Sequence, residues 1–94
     1  MLFVLFCEDK PDSQAVRRAT RQAHLDYVAS QTNRIRLAGP LLSDDGETML
    51  GSLLIIEADD LAAARTLHEN DPYTRAGLWG NVVIRPFRAV VPQR

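Results

Sequence analysis

A chain of 94 residues, 46% hydrophobic and 24% charged, is long enough for one domain with a modest core and too short to enclose a roomy active site by itself. Eleven basic and twelve acidic residues leave a net charge of −1, without the electrostatic footprint of a nucleic-acid or anionic-membrane binder. The lone cysteine, Cys7, excludes an intrachain disulfide, nothing has the Cys/His spacing of a zinc site, and this usage suits a reducing cytoplasm.

The run Met1-Leu2-Phe3-Val4-Leu5-Phe6 is too short for a signal-peptide core with its cleavage region or for a membrane span. Residues Leu2 to Cys7 instead predict a strand buried on both faces, broken by the segment Asp9 to Ser13 with Pro11 inside it. From Ser13 to Thr32 the chain is rich in Ala, Arg, Gln and Leu and free of Gly and Pro, which predicts a helix capped by Ser13 or Asp12. Arg34 to Leu42 is a second strand, bent or ended by Gly39-Pro40. The Asp-Gly pair in Ser43-Asp44-Asp45-Gly46-Glu47 turns it into a third strand, Thr48 to Glu57, as a hairpin. Asp59 or Asp60 caps a second helix, Leu61 to His68, and Asp71-Pro72 closes that segment. After a short turn or helix ending at Gly77, Val82-Val83-Ile84 begins the last strand, which Pro86 should weaken or place at an edge.

The order β-α-β-β-α-β is the split βαβ arrangement of a ferredoxin-like α+β sandwich: a four-stranded antiparallel sheet with two helices on one face, as a single domain over residues 1–94. The strands are apolar on both faces, since Leu2, Val4 and Phe6 alternate with Phe3, Leu5 and Cys7, and Leu53 and Ile55 with Leu54 and Ile56. A whole wet face would expose a larger apolar patch than soluble monomers usually carry. A homodimer through that face is expected, driven by about 1.5–3 kcal/mol per buried side chain against the costs of association.

Around the first helix, Arg18, Gln22, Asp26 and Ala29 form the solvent side. His24 lies near the centre of the opposite arc with Val16, Thr20, Tyr27 and Val28, and Arg17 and Arg21 precede it on the same flank. Two readings stand for His24: a core histidine satisfied by a carbonyl or by Thr20, or a general base oriented by a carboxylate. Asp71 can be that carboxylate, or can cap a helix started by Pro72; its two oxygens leave room for both. His68 has a ready explanation as a complement to a helix dipole. The wider arginine cluster Arg17, Arg18, Arg21, Arg34 and Arg36, with Asp26 and the acidic turn nearby, reads as a solvated face. Gly39-Pro40 and Gly51-Ser52 read either as sheet bends or as a pocket floor, with Ser52 offered to a ligand and Tyr73 and Trp79 on the wall.

The opening strand, Arg21-x-Ala23-His24-Leu25, Ala38-Gly39-Pro40-Leu41, Gly51-Ser52, Asp71-Pro72-Tyr73 with Ala76-Gly77-Leu78, and Ile84-Arg85-Pro86-Phe87 together resemble the YciI-like family from Met1 to about Arg88. Gln22 stands where relatives often have proline, and Asn33 where a glycine is common. The resemblance implies a dimeric α+β barrel with sheets face to face and a His-Asp active-site pair, here His24 and Asp71. It also implies kinship with a dehydrochlorinase acting on chlorinated hydroxyhydroquinones. The expected function is a cofactor-independent lyase or isomerase for a small cyclic or aromatic compound, with His24 and Asp71 catalytic and Arg21, Pro40, Ser52 and Tyr73 binding the substrate. Arg21 or a backbone amide would face the developing oxyanion. The alternatives are a small-molecule binding or sensing module and a structural partner protein. No dinucleotide fingerprint, phosphate loop or metal-ligand cluster supports a bound cofactor.

Overall fold

The computed structural model describes residues 1–92, so the last two positions of the domain expected over 1–94 lie outside the described residues. Its elements run β1 (Leu2–Asp9), α1 (Gln14–Ser30), β2 (Ile35–Leu42), β3 (Met49–Glu57), α2 (Leu61–Glu69), α3 (Pro72–Arg75) and β4 (Trp79–Phe87). The strands form one antiparallel sheet in the order β2-β3-β1-β4. This is the ferredoxin-like α+β architecture, with the short α3 added between α2 and β4.

Both prolines within strands sit on the two edges of that order, Pro40 in β2 and Pro86 in β4, where a residue without an N–H is tolerated. Gly39-Pro40 therefore neither ends nor interrupts β2. β4 begins at Trp79, ahead of the expected Val82, because pairing with β1 continues across a register shift at Glu8/Asp9 to join Asp9 with Trp79. Gly80 and Asn81 hid this extension in the sequence, both being poor strand formers.

Helix starts divide between side-chain and backbone solutions. The Asp60 carboxylate accepts from the Ala63 N–H at 2.8 Å, as expected of an N-cap. At α1 Ser13 occupies the N-cap but makes no side-chain cap bond; its hydroxyl donates back to the Lys10 carbonyl at 2.5 Å, and Asp12 has a φ of +58°. Neither residue is the side-chain cap that the composition suggested.

The core lies between the sheet and the helices, where Phe3, Leu5, Cys7, Leu54 and Ile56 pack with Ala64 and Leu67 of α2. On the other face Leu2, Val4, Phe6, Leu53 and Ile55 are only partly covered, and Leu37 is 63% and Phe87 43% exposed. In the single chain, then, β1 is buried on its helix side alone. Gly51 serves this close packing: a Cβ there would stand 2.3 Å from the Cys7 carbonyl oxygen. It is a glycine of strand approach, and only its neighbour Ser52 reaches the cleft described next.

Candidate active site

A cleft of about 160 Å³ opens between α1, the Ala38-Gly39-Pro40 stretch of β2 and the start of β3. His24, Arg21, Pro40, Ser52 and Tyr73 all line it, joined by Arg17, Leu25, Val28 and Met49. Helical periodicity explains much of this convergence, because positions 17, 21, 24, 25 and 28 recur at helical spacing along one flank of α1.

His24 is 8% exposed and Asp71 3%. The imidazole Nδ1–H donates to both carboxylate oxygens of Asp71, at 2.8 and 3.1 Å. Asp71 reaches this position because it is also the N-cap of α3: its Oδ1 accepts the Tyr73 N–H at 2.9 Å, and Pro72 fills the first helical position. Asp71 therefore both caps α3 and contacts His24, while among the described residues Thr20 and backbone carbonyls make no hydrogen bond to the ring. An ionised carboxylate accepts only, so the proton of neutral His24 resides on Nδ1 and the lone pair on Nε2. No buried side-chain polar atom lacks a partner among the described residues, so Nε2, which has no protein partner there, is reached by solvent.

The ring of His24 stacks on Tyr73 with centroids 4.1 Å apart and planes 19° from parallel. Arg17, 3% exposed, lies 4.7 Å from the centre of the same tyrosine ring. Its Nε and Nη2 donate to the two oxygens of Asp9 at 2.7 and 2.9 Å, and Nη2 also donates to the Ser52 hydroxyl at 3.1 Å. Burial by itself lowers the guanidinium pKa, but the hydrogen bond and charge of Asp9, together with Tyr73, outweigh it and the net movement is upward. Burial also raises the Tyr73 phenol, against the pull of Arg17 and Arg21, which keeps it a hydroxyl donor at neutral pH.

Cys7 lies beneath this cluster, paired across the sheet with Ser52. Burial, then the negative charges of Asp71 and Asp9, push its thiol up to about 12, so it is no nucleophile near neutrality. His68, in the last turn of α2, is displaced downward by burial, with Asp71 and Glu69 opposing. Among the described residues no three His, Cys, Asp or Glu side chains converge as metal ligands, and no helix is long and apolar enough to cross a membrane.

The structure moves four residues from their expected places. Val16, assigned to the inward arc of α1, is 39% exposed, and Arg17, read with the other arginines as part of a solvated face, is buried instead because Asp9 neutralises it. Trp79 is not on the cleft wall: it packs edge-on against Tyr73 at 5.6 Å and donates its indole N–H to the Thr74 hydroxyl at 2.9 Å. Asp9, expected only as a strand breaker, is the buried partner of Arg17. The usable signal was the seven-residue spacing of Arg17 and His24, two helical turns that place both on one face.

The YCII-related domain is matched by residues 1–88. Protein YciI of Escherichia coli O6:H1 is 34% identical over 97 aligned positions, covering 96% of this chain and 99% of that protein. An uncharacterised protein of Haemophilus influenzae is 33% identical with the same coverage. Among solved structures, the 5-chloro-2-hydroxyhydroquinone dehydrochlorinase of Burkholderia phenoliruptrix AC1100, in complex with 2,5-dihydroxybenzoquinone, superposes with a TM-score of 0.89 at 33% identity, over 100% of both chains.

Proposed function

The chain belongs to the YCII-related domain family, and on that premise we propose a cofactor-independent enzyme that moves a proton with His24 and Asp71 on a small cyclic or aromatic compound, of the dehydrochlorinase or isomerase type. The observation that carries this reading is the hold of Asp71 on Nδ1, which fixes the tautomer and leaves Nε2 as a base at the cleft. The similarity to a dehydrochlorinase supports the substrate class. The cleft supports it too, because about 150 Å³ suffices for a benzene-sized ring and this one is about 160 Å³.

The chemistry balances without an oxidant. On the keto tautomer of a chlorinated hydroxyhydroquinone, Nε2 takes the proton of an enolic hydroxyl and the O–H electron pair forms a carbonyl. The ring double bond shifts toward the carbon bearing chlorine, and chloride leaves with its bonding pair. One proton and one chloride are lost. Imidazolium formed in this step is stabilised by the Asp71 carboxylate. Ser52, Pro40 and Tyr73 shape the ring site, with Arg21 at its exposed mouth.

A panel of single-ring hydroquinones and hydroxyquinones, scored for thermal stabilisation and for turnover, tests the reading. It predicts both responses for the same compounds; stabilisation with no turnover across the panel assigns a binding module instead.

The proposal includes a homodimer that covers the outer sheet face, where Leu37 and Phe87 stand exposed around Ile55, and a cytoplasmic setting in keeping with one buried free cysteine.

A further inference from the structure

Alternation along β3 puts Ser52, Leu54 and Ile56 on the helix side of the sheet, paired with Cys7, Leu5 and Phe3, and unbroken it would send Met49 to the outer face with Leu53 and Ile55. A bulge prevents this. The adjacent residues Leu41 and Leu42 pair with Gly51 and Met49, so Leu50 is an extra residue in the ladder and stands 48% exposed. One extra residue exchanges the two faces, and Met49, opposite Leu42, joins Pro40 and Ser52 in lining the cleft. A second contact fixes it there. β1 pairs with β3 only as far as Gly51, which leaves Met49 without a neighbour in β1, and the side-chain amide of Gln14, the first residue of α1, donates to the Met49 carbonyl at 2.8 Å. From Ser43 to Thr48 the turn bonds only to itself among the described residues, so Gln14 is what ties this end of the hairpin to the helix.

Resting on the reading of the cleft as the site of a ring compound, we propose that Met49 is the specificity-determining residue that limits the bound compound to one unfused ring, and that Gln14 acts through it as a positioning residue. A thioether on three rotatable bonds adapts to irregular space and excludes little unless its backbone is held. The bulge aims that backbone and the Gln14 amide holds it. Met49 closes the cleft from the sheet, with Leu25 and Val28 on the helix, and the space they bound, about 160 Å³, admits one ring. A second, fused ring needs room that the Met49 side chain occupies, and forcing atoms into filled space is unfavourable. Neither Met49 nor Gln14 exchanges a proton with the His24–Asp71 pair, so the size limit and the proton transfer can fail separately.

The test titrates the intact protein with two compounds that share a hydroxyquinone head, 2,5-dihydroxybenzoquinone and 2-hydroxy-1,4-naphthoquinone, the second carrying a fused ring. The wild type is expected to prefer the single ring by about tenfold or more, the discrimination that even small differences in bulk produce in an apolar pocket. Met49→Ala should erase the preference by gaining affinity for the fused ring. Gln14→Glu keeps the shape of the side chain and suits the positive end of a helix, but cannot donate to the Met49 carbonyl at neutral pH, so it should relax the preference about threefold or more with α1 intact. The double variant Gln14→Glu/Met49→Ala should be no more permissive than Met49→Ala, because the latch has nothing left to position. The chain has two methionines, so methyl labelling with carbon-13 adds a direct readout: the Met49 signal, identified by its loss in Met49→Leu, should shift when 2,5-dihydroxybenzoquinone binds. A wild type that binds neither compound or both equally, an unshifted Met49 methyl, a preference unchanged in Met49→Ala, or additive effects in the double variant overturns the proposal. His24→Gln separates the two claims, since it should keep the size preference while turnover is lost. Turnover retained in that variant would sink the proton-transfer reading and leave the size limit standing.

Discussion

Asp71 serves two partners with one carboxylate, and its Oδ1 serves both. In Asp71→Asn an amide oxygen at that position still accepts from the Tyr73 N–H and from Nδ1–H of His24, so α3 stays capped and the ring keeps its tautomer while the negative charge beside it is lost. Turnover should fall about tenfold or more, because the imidazolium then forms without its counter-charge, while circular dichroism shows the fold retained. Turnover equal to that of the wild type would leave Asp71 with its capping role alone. Cys7 offers a second check at this scale. Its pKa is raised from 9.0 to about 12, so the thiol favours the folded state fully below pH 9 and that contribution is lost as pH rises through about 12. Between those values the wild type should lose stability faster than Cys7→Ala, measured by chemical denaturation across the alkaline range; parallel curves would mean the thiol is not held neutral. Of the site residues, His24 was legible from its angular position, and Asp71 only as one of two options. Asp9 was not legible, because a carboxylate at a strand end looks the same whether it breaks the strand or pairs across to a helix.

Among the elements, those with strong local signals formed where the sequence placed them: the apolar start of β1, the turn after β2 and the Asp60 cap of α2. Misplaced boundaries were set by partners distant in sequence. β4 starts early because Asp9 of β1 offers it a partner, and β2 passes through Pro40 because an edge strand has a side without a ladder. Gly51 illustrates the same point energetically. Gly51→Ala drives a methyl into the Cys7 carbonyl at 2.3 Å, backbone that cannot rotate away, and should cost about 1–3 kcal/mol. Gly39→Ala meets nothing within 4 Å and should be close to neutral in the monomer. Equal denaturation midpoints for the two variants would contradict this packing assignment.

At the scale of the whole molecule, the sheet divides the apolar residues into a finished core on the helix side and an unfinished layer on the other. Leu2, Val4, Phe6, Leu53 and Ile55 are only partly covered in the single chain, and a second copy would complete them. Light scattering at micromolar concentration should therefore give about twice the chain mass, and Ile55→Lys, a charge in the middle of that layer, should return it to one. A wild-type mass of one chain at that concentration would exclude the paired assembly. The alternation of apolar residues predicts two apolar faces, but nothing in one chain's pattern says which face meets the helices; in the fold it is Phe3, Leu5, Leu54 and Ile56 that pack with Ala64 and Leu67 of α2.

The most direct test of the central claim is chloride release from 5-chloro-2-hydroxyhydroquinone, measured for the wild-type protein and for His24→Gln after circular dichroism has established that the variant is folded. Proton transfer by Nε2 predicts release by the wild type and a fall of about 10²-fold or more in the variant, the usual worth of a positioned general base. Equal rates from the two proteins would contradict it.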